Sequence, residues 1–212
     1  MPGDERKRER QRERLIRQAL RLEWLAVLWM AIEAAVAVWS GVMAHSLSLT
    51  AFGLDSVIEL ISAGVLIWRL SSELRLGREI SENIEQTARR IAGVLLVALA
   101  VYVVAAAGRS LWRGQGQAFS WPGLVIALLA IPVMLWLARR KRELAERLGS
   151  RALRADAAES VACLWLSLVV VVGFIAQLAL GAWWIDAVAS LAIVWFLASE
   201  GRAALSEEDD GD

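Results

Sequence analysis

The sequence predicts an all-α integral membrane protein, a bundle of six transmembrane helices with both termini in the cytoplasm. Of its 212 residues 58% are hydrophobic, and 23 basic side chains balance 23 acidic ones. Three long stretches, 91–108, 114–138 and 160–185, contain no charged residue. Because about 20 apolar residues cross a bilayer as a helix, these stretches predict transmembrane segments. This composition excludes a disordered chain, a disulfide scaffold and a nucleic-acid-binding protein.

Six spans account for the apolar sequence: 24–44, 46–68, 91–108, 121–138, 155–180 and 185–199. A basic arm, 1–21, precedes the transmembrane domain of 22–200, and an acidic tail, 201–212, follows it. We expect the arm to form a helix over 4–21 that lies near the membrane surface and ends where the first span begins. No folded cytoplasmic domain is expected, because the tail and the loops are too short and too charged for a core.

The distribution of lysine and arginine predicts the topology. The arm and the loops 69–90 and 139–154 hold 8, 5 and 7 of these residues. The loops on the opposite side hold only two, Arg109 and Arg113. Since cytoplasmic loops carry an excess of basic residues, we expect the arm, the two basic loops and both termini in the cytoplasm.

Acidic residues inside the spans are the strongest functional signal, because a carboxylate at bilayer depth costs at least ~2.5 kcal/mol. Asp55 and Glu59 lie one turn apart on one face of the second span, and neither that span nor the fifth has a basic residue to neutralise them. Asp156, Glu159 and Cys163 share a face of the fifth span. The helical rise places the two faces near one depth. Carboxylates and a thiolate are ligands of Zn²⁺ and similar ions, so the predicted metal site is Asp55, Glu59, Glu159 and Cys163.

Some of these residues also allow structural interpretations. Cys163 is equally compatible with a small apolar filler of the core. Asp156 and Glu159 are compatible with ion pairs to Arg151 or Arg154 in the inner headgroup zone. Otherwise Asp156 lies at the cytoplasmic access to the site or supports its ligands.

Three further polar residues have open or different roles. Glu33 in the first span is a candidate for access or for support of the ligands, and it fits a proton site, a cavity-facing side chain or a hydrogen bond to another helix. His45, the only histidine, fits a solvated loop residue or a role in metal entry or exit. Asp186 is expected to be the N-cap of the sixth helix.

Three segments resemble the cation diffusion facilitator family. Segment 44–59 is similar to the family's second transmembrane helix, whose two ligands four residues apart are matched by Asp55 and Glu59. Segment 155–163 is similar to its fifth helix, where Glu159 and Cys163 stand at the positions of a His-x-x-x-Asp pair. Segment 184–191 is similar to its closing helix. The resemblance covers the six spans, about residues 22–204.

The resemblance implies a homodimeric exporter that exchanges a divalent metal cation for protons, in the branch of the family without a cytoplasmic metal-binding domain. Because metal binding requires deprotonated ligands, protons compete with the ion for the same atoms, which predicts proton-coupled alternating access. Zn²⁺ is the favoured cargo, with Fe²⁺, Mn²⁺, Co²⁺ and Cd²⁺ as alternatives, and no permanently bound cofactor is expected. The expected location is the bacterial inner membrane.

The competing hypothesis is a membrane metal sensor or scaffold that has the same fold and does not transport. An enzyme is not expected, because the sequence has no Ser/His or Cys/His pair, HExxH motif or phosphate-binding loop.

Overall fold

A computed structural model describes residues 2–76, 82–114 and 116–206. These residues form six α-helices and contain no β-strand. The helices are α1 (Pro2–Ala44), α2 (Leu47–Leu76), α3 (Glu82–Arg113), α4 (Trp121–Leu148), α5 (Arg151–Leu180) and α6 (Ile185–Ser206). The all-helical fold class is therefore confirmed, and each predicted span lies within one helix apart from the first residue of the second span.

The helices of the described chain have the length and surface of membrane spans. Five of them are long and apolar enough to cross a bilayer: Arg10–Ala44, Leu47–Ser72, Arg90–Arg113, Trp121–Leu148 and Ala152–Leu180. α6, with 22 residues, is not among these five. The outside of the bundle is apolar, since Leu28, Val101, Val172 and Trp195 are each more than half exposed. Helices that are apolar on both their inner and outer faces are suited to lipid, and the chain is a multi-pass membrane protein.

Four helices surround the region that holds the candidate site. α1, α2, α5 and α4 form a ring in which each helix contacts the next, and α3 and α6 pair with each other beside α2 and α5. α1 and α2 approach closely at Gly41, where a Cβ atom would lie 2.5 Å from Oγ1 of Thr50, and at Gly53, where it would lie 2.7 Å from the backbone nitrogen of Val38. Only glycine permits this approach, which places the acidic middle of α2 directly against α1.

The expectation that the arm helix ends at the first span is wrong, because α1 runs unbroken from the arm into the membrane. No glycine or proline lies between residues 4 and 40 to interrupt it. The arm also packs on the other helices: Ile16 joins Leu66 of α2 and Leu153 of α5 in a small hydrophobic cluster separate from the main core. The arm therefore extends the end of the bundle that carries the basic loops 69–90 and 139–154, which we call the basic end.

The helices run past several predicted spans at the basic end. α2 continues to Leu76, α3 begins at Glu82, and α4 continues to Leu148, where Gly149 ends it in the left-handed conformation with φ 65°. The predicted acidic tail begins inside α6, which continues to Ser206. Residues 77–81 of the predicted loop 69–90 and residues 207–212 of the tail lie outside the described residues.

Candidate metal site

Three helices bring four polar side chains into the apolar interior: Glu33 from α1, Asp55 and Glu59 from α2, and Cys163 from α5. We call these four residues the interior cluster. All are buried, with exposed fractions of 0%, 1%, 7% and 0%. The thiol of Cys163 lies close enough to the three carboxylates to interact electrostatically with each of them. The prediction that the polar faces of the second and fifth spans meet is therefore confirmed.

Glu33 links the helices of the interior cluster. Its Oε1 accepts hydrogen bonds from Oγ of Ser56 at 2.7 Å and from Sγ of Cys163 at 3.3 Å, and its Oε2 accepts one from Nε1 of Trp29 at 2.7 Å. Of the three roles left open for Glu33, the hydrogen bond to another helix is confirmed, and it reaches two helices. Ser56 lies between Asp55 and Glu59 in the sequence, so this bond also fixes the turn of α2 that carries both acids.

Asp55 and Glu59 lack the partners that Glu33 has. In the described part of the chain, nothing hydrogen-bonds either carboxylate oxygen of Asp55 or Oε1 of Glu59. The charges that act on Glu59 are those of other acids, including Asp55, Glu159 and Glu200. A buried carboxylate without a counter-charge costs several kcal/mol. The pair is therefore a place where a cation or protons are strongly favoured.

Two more carboxylates lie at the edge of the interior cluster. Glu159, the fourth predicted ligand, is half-buried and acts electrostatically on Glu59. Glu200 on α6 acts on both Asp55 and Glu59. Sequence reasoning missed Glu200 because it follows the apolar part of the sixth span, and the approach of α6 to α2 and α5 is a tertiary feature. The sequence marks Glu200 only as an acidic residue directly after the predicted sixth span.

The described residues do not assemble the complete predicted ligand set. Among them, no three His, Cys, Asp or Glu side chains converge closely enough to hold a metal ion. Cys163 interacts electrostatically with Asp55 and Glu59 without converging on them, and Glu159 stands at the edge. Cys163 is also part of the hydrophobic core, as its filler interpretation predicts. The four-ligand site stays a prediction.

A second group of buried charges joins α1, α4 and α5, and we call Glu23, Lys141 and Asp156 the charge triad. Nζ of Lys141 lies 3.2 Å from Oε2 of Glu23 and 2.5 Å from Oδ2 of Asp156. Asp156 thus pairs with Lys141, while Arg154 is exposed and the side chain of Arg151 lies outside the described residues. The ion pair of Asp156 with Arg154 is therefore wrong, because Asp156 pairs with Lys141 of α4 instead.

Sequence reasoning also missed Glu23 and Lys141. Glu23 directly precedes the first predicted span, a position that favours an acid close to water, yet it is 0% exposed. Lys141 stands in a run of exposed arginines, so composition alone assigns it to the surface. The available signal is that the chain has only two lysines beside 21 arginines, and one of them interrupts this run.

The prediction that Asp186 caps α6 is wrong. α6 begins at Ile185, so Asp186 lies inside its first turn and its carboxylate caps α2 instead. It accepts hydrogen bonds from the backbone nitrogens of Leu47 and Ser48 at 2.7 and 3.2 Å. It also accepts hydrogen bonds from the hydroxyls of Ser46 and Ser48 at 2.8 and 2.5 Å. A carboxylate at a helix N-terminus is favoured by the helix dipole.

His45 is an exposed residue of the turn between α1 and α2, with a positive φ of 53°. Its placement confirms the solvated loop interpretation. A role in metal entry or exit stays a prediction.

The comparisons with known proteins agree with this architecture. Residues 24–208 match the family model described as the cation efflux transmembrane domain. This segment contains all six helices except the arm of α1, and it contains every predicted site residue. A search of curated proteins found no match.

Proposed function

Because the chain belongs to the cation efflux family, the cation diffusion facilitators, it is a cation transporter, and we propose that it exports a divalent metal ion, Zn²⁺ foremost, from the cytoplasm in exchange for protons. The proposal places a homodimer in the bacterial inner membrane, with the basic end of each bundle facing the cytoplasm. Fe²⁺, Mn²⁺, Co²⁺ and Cd²⁺ are the alternative cargoes.

One observation carries the proposal: Asp55 is 1% exposed and both of its carboxylate oxygens lack a hydrogen-bond partner among the described residues. Glu59 lies one turn further along the same face. Like charges one turn apart repel each other, and the apolar surroundings strengthen that repulsion. A divalent cation that binds between the two carboxylates removes the repulsion and supplies the missing partners.

The proposed ligands are Asp55 and Glu59 from α2 with Glu159 and Cys163 from α5. A thiolate among carboxylates favours a borderline ion such as Zn²⁺ over Mg²⁺ or Ca²⁺. The ligands must lose their protons before they bind the ion. Metal that loads from the cytoplasm therefore releases protons, and protons that arrive from the other side release the metal.

Glu33 supports this site without being one of the proposed ligands. Its bonds to Ser56 and Cys163 hold the two ligand-bearing helices in a fixed relation to α1. Substitution of residues that orient ligands in this way typically lowers metal affinity by about 10- to 100-fold.

The test is Zn²⁺ flux into liposomes that carry the purified protein and an imposed pH gradient. Asp55→Asn removes the charge and keeps the shape of the side chain. Glu143→Gln is the matched control, because Glu143 is exposed and, within the described part of the chain, pairs with Arg140 alone, at 3.1 Å. We expect gradient-dependent flux from the native protein and the control, and a flux at least about 100-fold lower from Asp55→Asn.

The other outcomes separate the competing functions. Unchanged flux in Asp55→Asn contradicts the proposed site. Absence of flux with Zn²⁺ and with each alternative ion, together with retained metal binding, favours the sensor or scaffold.

A further inference from the structure

The charge triad is a buried cation site that already contains a cation. The side chains of Lys141 and Glu23 are 2% and 0% exposed, and that of Asp156 is 10% exposed. The two carboxylates come from different helices, α1 and α5, and the Lys141 ammonium from α4 lies between them. A lysine on a flexible stem thus occupies the position that a metal ion takes between two carboxylates.

When both acids are ionised, the charges of the triad do not balance, and a proton or a further positive charge is needed. One ammonium faces two carboxylates, and Oε1 of Glu23 is buried without a hydrogen-bond partner in the described residues. Buried charges are stable only when they are paired and their remaining polar atoms are satisfied. A divalent ion between Glu23 and Asp156 would neutralise both carboxylates, whereas Lys141 neutralises only one.

Along the axis of α5, the triad lies between the basic end of the bundle and the interior cluster. Asp156, Glu159 and Cys163 follow one another on a single face of α5. Along the helix axis, Glu159 and Cys163 are about 4.5 and 10.5 Å beyond Asp156. The flanking side chains of Arg140 and Arg142 are exposed, so the turn of α4 that carries Lys141 lies at the surface of the bundle.

We propose that Glu23 and Asp156 form a second site for a divalent cation, an entry station ahead of the interior cluster. Lys141 is its tethered counter-ion: the ammonium moves out as the metal ion arrives and returns when the ion has moved on. The role in entry rests on the proposed export function, whereas the existence of the site does not. Carboxylate oxygens are its only proposed protein ligands, so it accepts divalent ions with little selectivity.

The first experiment measures Zn²⁺ binding by equilibrium dialysis in a protein that lacks the interior site, Asp55→Asn with Glu59→Gln. In this background, Lys141→Met removes the competing ammonium, and we expect Zn²⁺ to bind roughly 100-fold more tightly, because the ion then neutralises carboxylates that have lost their partner. Adding Glu23→Gln to Lys141→Met is the matched control and should abolish the gain. Equal affinity in all three proteins overturns the proposal.

The second experiment leaves the triad intact, so it does not depend on whether Lys141→Met folds. The chain has only two lysines, Lys7 and Lys141, and an amine-specific reagent followed by peptide mass spectrometry reports each one. In the Asp55→Asn, Glu59→Gln background, we expect Zn²⁺ to increase the labelling rate of Lys141, with Lys7 as the internal control. Labelling of Lys141 that does not respond to Zn²⁺ overturns the proposal.

Neither experiment uses flux as its readout. Failure of the proposed transport function therefore leaves both results interpretable, and failure of the entry station leaves the interior site untouched.

Discussion

Two buried aspartates of this protein have opposite surroundings. Asp186 on α6 is 6% exposed and accepts four hydrogen bonds at the start of α2. Asp55 on α2 is 1% exposed, and no described residue donates a hydrogen bond to it. Both residues belong to the same fold and differ only in what their carboxylates contact. Asp186 joins two helices, whereas the carboxylate of Asp55 has no such partner among the described residues and is, in the proposed transport function, a ligand of the metal ion.

The surroundings of Asp156 in the charge triad are intermediate between those of Asp186 and those of Asp55. Asp156 has a counter-charge, as Asp186 has hydrogen-bond donors, but that counter-charge is carried by a lysine side chain and not by the backbone. In the proposed entry station the ammonium of Lys141 leaves when a metal ion arrives, whereas the backbone nitrogens of Leu47 and Ser48 are fixed at the start of α2. If both proposals hold, the number and kind of partners distinguish the acids that hold helices together from the acids that bind cations.

The largest expected effect belongs to Asp55→Asn. We expect Zn²⁺ flux to fall by at least about 100-fold. The substitution removes a proposed ligand of the ion, whereas loss of a residue that only orients a ligand costs about 10- to 100-fold. We also expect the thermal unfolding midpoint to stay the same or rise, since the change removes an unneutralised buried charge. Liposome flux and thermal unfolding in detergent measure the two quantities on the same preparation. A lower midpoint would show that Asp55 has a structural role like that of Asp186.

Asp186→Ala should show the reverse pattern. The change leaves two backbone nitrogens and two hydroxyls without their acceptor, and we expect it to lower the free energy of unfolding by roughly 2–3 kcal/mol. Flux per folded molecule should be retained. Denaturant unfolding in detergent provides the measurement, and Asp186→Asn is the control that keeps one acceptor oxygen. A variant as stable as the native protein would contradict the capping role.

Glu33→Gln tests whether Glu33, whose carboxylate has partners on both α2 and α5, affects metal binding by holding the ligand-bearing helices in place. The amide oxygen of glutamine still accepts the hydrogen bond from Ser56, so we expect the fold to persist while Zn²⁺ affinity falls about tenfold. Isothermal titration calorimetry with Zn²⁺ measures this change. Glu33→Ala should weaken binding further, and equal affinities of the two variants would contradict a positioning role.

Cys163→Ser gives the smallest expected effect. The hydroxyl fills nearly the same space in the core but is a harder ligand, so we expect the preference for Cd²⁺ over Mn²⁺ to fall while Mn²⁺ binding persists. Competition binding with the two ions measures that preference. If it does not change, Cys163 is only a filler of the core.

The sequence predicted the features that depend on one helix. Charge-free segments predicted the spans, and the spacing of Asp55 and Glu59 predicted a shared face. The α1 helix was predicted less well, because the boundary at residue 21 rested on a change of composition that does not by itself break a helix.

The features missed by sequence reasoning depend on partners far apart in the chain. Asp186 caps a helix that starts 139 residues earlier, and Lys141 meets Glu23 from another helix. Local capping and charge rules assign both residues to their own helix. Only the packing of α1, α4 and α5, and of α6 beside α2, determines which partner each one meets.

The most direct test of the central claim is a Zn²⁺ binding titration on the purified native protein, Asp55→Asn and Asp186→Asn. The two variants make the same chemical change at two buried positions. We predict tight binding of Zn²⁺ to the native protein and to Asp186→Asn, and loss of that tight binding in Asp55→Asn. Tight binding retained in Asp55→Asn would contradict the claim that the unpartnered acid of α2 holds the transported ion.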